Sequence, residues 1–240
     1  MNDKLKKYWE LLVLTEDYVT NGYRKKHTVP ELDFPKLGHD EGGAVVSPAQ
    51  VQDGSSEERK AALAETASQI ASCTLCGLHR TRTNTVPGYG VLDPLVLCGG
   101  KAPGRDEDLS GEPFVGKAGR YLDKWLDAIG LDRHNHCFIG NILKCRPPQN
   151  RDPEPVESEA CLPYLERQIE LIRPKTILAL GRISTQILLN TTEGLGKLRK
   201  KVYTFKNIPL LPTYHPSAVL RNKDLRRAVW DDLKRLKELF

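Results

Sequence analysis

Residues Cys98 to Gly119 read CGGKAPGRDEDLSGEPFVGKAG. The apolar run Leu95-Val96-Leu97-Cys98 leads into this stretch, and a polar segment punctuated by glycines and prolines follows. Ala118, Leu122, Trp125, Leu126 and Ile129 then recur at helix-face spacing. Strand, long loop and helix in that order predict a βα unit. Ligands of open α/β sheets bind beyond the carboxyl ends of the strands. Gly99, Gly100 and Gly104 permit close backbone approach, and Phe114 offers an aromatic face within the loop. A connection this long inside a compact α/β unit tends to be functional rather than mere linkage.

Working outward, three more apolar runs read as buried strands, at about 137–142, 176–180 and 208–213. They alternate with helical patterns at about 57–71, 161–172, 182–189 and 222–240. The alternation predicts an α/β fold of three layers, αβα, with a central four-stranded parallel sheet. Asn141 falls at the end of the second of these strands and His215 just beyond the fourth. Both therefore converge with Phe114 on one carboxyl edge. Alone, an Asn at a strand end reads as a turn former, and a His beside Pro-Ser as structural; the convergence is what singles them out.

The N-terminal part has a different composition. Residues 3–20 predict an amphipathic helix with Leu5, Tyr8, Trp9, Leu12 and Val13 on one face, stopped by Asn21-Gly22. Residues 25–56 are poor in large apolar side chains and read as a linker. The expected division is thus 1–57, helix and linker, and 58–240, a single α/β domain. The formal charge of +5 is uneven. Residues 1–57 carry 7 Lys/Arg against 10 Asp/Glu, while 58–240 carry 29 against 21. A basic domain beside an acidic leader fits a polyanionic partner. No apolar run is long enough for a membrane span, and Met1-Asn2-Asp3-Lys4 is not followed by a signal-peptide core. A cytoplasmic protein with no membrane partner is expected.

The six cysteines are Cys73, Cys76, Cys98, Cys137, Cys145 and Cys161. In a reducing compartment a metal site is favoured over disulfides. Two thiolates of a C-x2-C pair can reach one centre from a single turn. On spacing alone, zinc, an iron–sulfur cluster and free thiols all stay open. Cys98 and Cys137 lie in apolar strand contexts and read as core.

The stretch Gly100-Lys101-Ala102-Pro103-Gly104, Glu107-Asp108 and Gly111-Glu112-Pro113-Phe114-Val115-Gly116-Lys117-Ala118-Gly119 resembles the first motif of the family 4 uracil-DNA glycosylases, the iron–sulfur branch of that superfamily. Asn141 to Pro148 resembles the second motif, an Asn ahead of Lys-Cys-Arg-Pro-Pro. His215 to Arg221 resembles the third. The resemblance covers roughly 58–240. It implies a 4Fe–4S cluster held by Cys73, Cys76, Cys145 and Cys161. It also implies a uracil site built from Gly100, Ala102, Pro103, Gly104, Phe114, Asn141 and His215. One position departs from the pattern: Lys101 stands where the family usually has Glu.

That resemblance implies excision of uracil from single- or double-stranded DNA by a monomer. The flipped base would stack on Phe114, and Asn141 would read the edge that separates uracil from cytosine. His215 and the 102–104 backbone would meet uracil O2, where negative charge develops. Lys101 occupies the remaining catalytic position, with Asp106, Glu107 or Asp108 as substitute carboxylates. Arg221, Lys197, Arg199, Lys200 and Lys201 are the expected phosphate contacts. Two other readings differ in class: a uracil-DNA-binding or DNA-docking module with weak or no excision, and a redox-responsive iron–sulfur scaffold without base chemistry.

Overall fold

The structure, a computed structural model, describes residues 55–240. The expected helix at 3–20 and nearly all of the linker lie outside the described residues. Helix α1 (Ser56–Ser72) opens on a capping box in which the Ser55 side chain accepts from the Glu58 backbone while the Glu58 side chain accepts from the Ser55 backbone. A 3-10 turn at Gly77–Arg80 and the short strand β1 (Tyr89–Gly90) precede β2 (Val96–Gly100). Helices α2 (Arg105–Ser110), α3 (Lys117–Ala128) and α4 (Arg133–His136) lead to β3 (Cys137–Asn141). After a 3-10 turn at Pro148–Asn150 come α5 (Pro155–Ile172), β4 (Thr176–Leu180), α6 (Arg182–Leu188) and α7 (Leu195–Leu198). Strands β5 (Tyr203–Phe205) and β6 (Ile208–Thr213), then α8 (Pro216–Arg221) and α9 (Leu225–Lys237), complete the order.

The sheet order is β1-β3-β2-β4-β6-β5. The four inner strands are parallel, as the alternation predicts, with Gly100 in register opposite Asn141. The sheet nevertheless has six strands rather than four. β1 and β5 add antiparallel edges that are two and three residues long, too short to carry a periodic signal. Two helix boundaries also differ from expectation. The polar segment after β2 contains α2, a six-residue helix closed by Gly111 in the left-handed region. The expected helix at 222–240 runs from Leu225 to Lys237, and a separate helix, Pro216–Arg221, precedes it; Asn222-Lys223-Asp224 divides the two, with the Asn222 side chain accepting from the Asp224 backbone.

Strand alternation divides the core into two layers. Val96, Cys98, Ile139, Leu178, Leu180 and Leu211 pack with Leu122, Trp125 and Leu126 of α3 and Val229, Leu233 and Leu236 of α9. Their neighbours Leu97, Phe138, Ile177, Ala179 and Leu210 pack with Leu165, Ile169 and Ile172 of α5. Helices on both faces of a buried parallel sheet leave its carboxyl edge as the open side. Cys98 and Cys137 are fully buried in the first layer, and a hydrogen bond to Cys137, then burial, pushes the Cys98 thiol well up. Both are packing residues. No helix among the described residues is long and apolar enough to cross a membrane.

Candidate active site

A cavity of about 700 Å3 opens at the carboxyl edge, lined by Lys101, Ala102, Pro103, Gly104, Phe114, Asn141, His215 and Arg221 among others. Of the expected uracil site, Ala102, Pro103, Gly104, Phe114, Asn141 and His215 line it, from three separate motifs, while Gly100 is not among the lining residues.

Phe114 is held by backbone rather than by its ring alone. Its φ of +54° lies in the left-handed region, a costly conformation for an aromatic residue. Arg133 locks it there. The Arg133 guanidinium donates to the carbonyls of Pro113 and Phe114 and to Asp123. Glu107 braces the same loop from the other side, accepting from the backbones of Gly104, Val115 and Gly116. Gly119 of α3 is required by this packing. A Cβ there would lie 1.6 Å from the Phe114 carbonyl oxygen. The Phe114 ring is buried, with its centroid 5.6 Å from that of His215 at an interplanar angle of 32°.

Asn141 ends β3 and is 2% exposed. Its side chain lies beside Gly100 and Phe114. A Cβ on Gly100 would come within 2.3 Å of Asn141 Oδ1 and 2.9 Å of the Phe114 ring. Gly100 is therefore what lets an amide edge and an aromatic face meet at one point.

His215 caps α8. The Ser217 N–H donates to Nδ1 at 3.2 Å, with the Ser217 hydroxyl 2.8 Å away. Because Nδ1 accepts, the proton of the neutral ring is on Nε2. Burial, then the charges of Arg221 and Lys101, lower the ring's pKa to about 4, so it is a neutral donor at pH 7. Gly181, at φ +94°, passes beside it where a Cβ would lie 3.1 Å from the His215 Cβ.

Lys101 lines the cavity, but its ammonium is directed to the 150–152 segment. It donates to the carbonyls of Asn150 and Arg151, each at 2.9 Å, and to Asp152 Oδ1 at 3.0 Å. The carboxylates expected nearby serve the scaffold. Asp108 is buried and accepts from the Thr83 backbone, Glu107 is engaged by three backbone N–H groups, and Asp106 is not among the cavity residues. Asp152, which sequence reasoning missed, does line the cavity, as do Arg182 and Tyr214. Its only sequence signal is a charge in a Pro-rich loop, which says nothing about where the loop points.

Of the expected phosphate contacts, Arg221 is exposed at the cavity rim and Lys200 and Lys201 are exposed. Lys197 is exposed and paired with Glu193. Arg199 is a correction. It turns inward to Asp232 and the Ala228 carbonyl and covers the Tyr214 ring at 4.5 Å, so its charge is spent inside the fold.

Cys73, Cys76, Cys145 and Cys161 line one small enclosed space with Arg82, Lys144 and Tyr164. Among the described residues no three His, Cys, Asp or Glu side chains gather closely enough to hold a single metal ion. The donor set is all sulfur. Arg82 donates to Cys145 Sγ at 3.3 Å and the Lys144 backbone to Cys161 Sγ at 3.2 Å. Such N–H donors favour thiolate ligands over thiols, which fits a cysteine-bound cluster. Burial, against the opposing charge and N–H of Lys144, pushes the Cys161 thiol up to about 11, so a bound cation is what would keep this sulfur anionic.

The sequence pattern of the Uracil DNA glycosylase superfamily matches residues 87–234. The chain is 46% identical over 179 residues to a type-4 uracil-DNA glycosylase of Archaeoglobus fulgidus, covering 71% of this chain and 89% of that protein. It is 45% identical to one from Saccharolobus solfataricus, over 72% of this chain and 83% of that one. Against one from Thermotoga maritima the identity is 39%, over 72% of this chain and 91% of that protein.

Proposed function

The chain belongs to the uracil DNA glycosylase superfamily and to its type-4 group, and from that premise we propose that it removes uracil from DNA by hydrolysing the N-glycosidic bond. The observation that carries the reading is the meeting of three side chains in one cavity: the Phe114 ring, the Asn141 amide and the neutral His215 imidazole. Chemistry on a base requires its removal from the stack. The flipped ring lies on Phe114. Asn141 both accepts from uracil N3–H and donates to O4, a pattern that cytosine reverses. As the C1′–N1 bond breaks, the base leaves as an anion and the sugar becomes oxocarbenium-like. The Nε2–H of His215 and the backbone N–H of Ala102 are the donors for the O2 charge, where preorganised donors act most strongly; Pro103 has no N–H, and that of Gly104 is taken by Glu107. Water adds to C1′ and completes the hydrolysis.

The four cysteines Cys73, Cys76, Cys145 and Cys161 hold a 4Fe–4S cluster in this reading. When bound it would supply a structural tie, and the residues that would hold it lie at the end of α1, after β3 and in the first half of α5. Asn141 lies four residues before Cys145, so the recognition residue is anchored by the same tie. Arg221 and the lysines at 200 and 201 track the DNA backbone. The protein acts as a cytoplasmic monomer.

The test is incubation of the purified chain with a single-stranded oligonucleotide carrying one uracil, followed by alkaline cleavage of abasic sites. Cleavage at the uracil supports excision. Tight uracil-dependent binding without cleavage contradicts it in favour of a binding module.

A further inference from the structure

Resting on the excision reading, we propose that Asp152 is the carboxylate of this site: it orients the water that adds to C1′, and Lys101 and Arg182 hold it in place. Hydrolysis through an oxocarbenium-like sugar is favoured by a carboxylate near the attacking water, as in most glycoside hydrolases. Among the described residues, two carboxylates line the cavity, Glu107 and Asp152. Glu107 is committed to Gly104, Val115 and Gly116 as a brace of the Phe114 loop. Asp152 has a different situation. Lys101 donates to Oδ1 at 3.0 Å and Arg182 to Oδ2 at 2.9 Å, one donor for each oxygen. Each oxygen of an ionised carboxylate can accept two, so each keeps a further acceptor position. The side chain is 52% exposed and is among those that line the cavity. The two cations outweigh desolvation and hold its acid below the usual carboxylate range, so it is charged at neutral pH.

The loop that presents Asp152 is built for placement. Gln149 and Asn150 are consecutive residues at positive φ, +53° and +57°. Strain of this kind persists only where surroundings over-determine it, and it clusters at functional sites. Lys101 supplies that restraint by donating to the carbonyls of Asn150 and Arg151. Arg146 donates to the Asn150 side chain, and Arg151 clamps Glu157 of α5 through both nitrogens. Lys101 is thus a positioning residue. Its charge is committed to two carbonyls and a carboxylate rather than to the sugar.

In the step itself the C1′–N1 electron pair leaves with uracil, and the water oxygen forms the C1′–O bond. Asp152 accepts a hydrogen bond from that water. The proton released as the bond forms passes to solvent, and the uracil anion takes a proton from solvent, so atoms and charge balance.

Single-turnover excision by the full chain tests this, with binding to a uracil oligonucleotide measured in parallel. Asp152→Asn keeps the shape and should slow excision on the order of a hundredfold, the usual cost of losing the placement of a reactant. Affinity should hold or rise, because a negative charge near the phosphates is removed. Asp152→Gly should be slow and partly restored by formate, a rescue that a purely structural role would not show. Lys101→Glu should slow excision, since it sets a second carboxylate against Asp152 and two carbonyls. Parental rates in Asp152→Asn, or acceleration in Lys101→Glu, overturn the assignment while leaving the excision reading intact. Absence of excision by the parental chain overturns both.

Discussion

At the scale of single residues, recognition depends on the absence of one side chain as much as on the presence of others. Gly100→Ala would drive a methyl group between Asn141 Oδ1 and the Phe114 ring, at 2.3 and 2.9 Å. It should abolish uracil binding while the protein stays folded, which binding and circular dichroism on one sample would check. Phe114→Ala should weaken engagement of the flipped base by about 1–3 kcal/mol, the usual worth of base–aromatic stacking. His215 has a titration signature. Its folded pKa of about 4 lies below the ordinary value of 6.5. The unfolded chain therefore takes up a proton first, and stability falls as pH drops from above 6.5 toward 4. Ring resonances in an NMR titration should stay put down to about pH 5; a midpoint near 6.5 would show a ring that is not buried by the cavity wall. Residues inside motifs were legible in the sequence, because Phe114, Asn141 and His215 each end a predicted strand or sit in the loop that follows one. Asp152 and the inward turn of Arg199 were not. Long polar side chains reach across the fold to partners 51 and 33 positions away, and no local pattern records that.

Elements show the same division. The four parallel strands announce themselves as continuous apolar runs because both of their faces are buried. Strands β1 and β5 do not, because edge pairs of two or three residues are defined by their neighbours rather than by their own sequence. Helix α3 links the layers to the site. Gly119 lets it pass against the backbone of Phe114, so Gly119→Ala must push the loop off the helix. This variant should lose excision with little change in DNA affinity, since Arg221 and the lysines at 200 and 201 are untouched. Parental kinetics would mean that the loop is not seated as described. The cysteine-bearing elements make a separate claim. Protein purified without oxygen should contain about four iron and four sulfide, as four Cys ligands imply. Stoichiometric zinc without iron would contradict the cluster assignment. Cys145→Ser should lower the melting temperature more than Cys98→Ser, since only the former removes a ligand.

For the whole molecule, the acidic leader and the basic domain suggest different duties. The described residues bury both faces of their sheet with their own helices. A fragment spanning 55–240 should therefore keep the parental melting temperature and excision rate; a large fall in either would show that the leader packs on the domain. Affinity for a uracil oligonucleotide should fall steeply with salt. Arg221→Ala should lower the slope of log affinity against log salt by about 0.7, one phosphate contact on a single strand. Arg199→Ala should instead lower stability, because it removes one of two guanidinium partners from the fully buried Asp232, which keeps only Arg235 and the Thr213 hydroxyl. The central claim is that one cavity both reads uracil and releases it. Free base liberated from oligonucleotides carrying uracil or cytosine at the same position measures this directly, for the parental chain and for Asn141→Ala. The account predicts release of uracil alone by the parental chain and loss of that release in the variant. Equal release of uracil by both proteins, or release of cytosine by the parental chain, would contradict it.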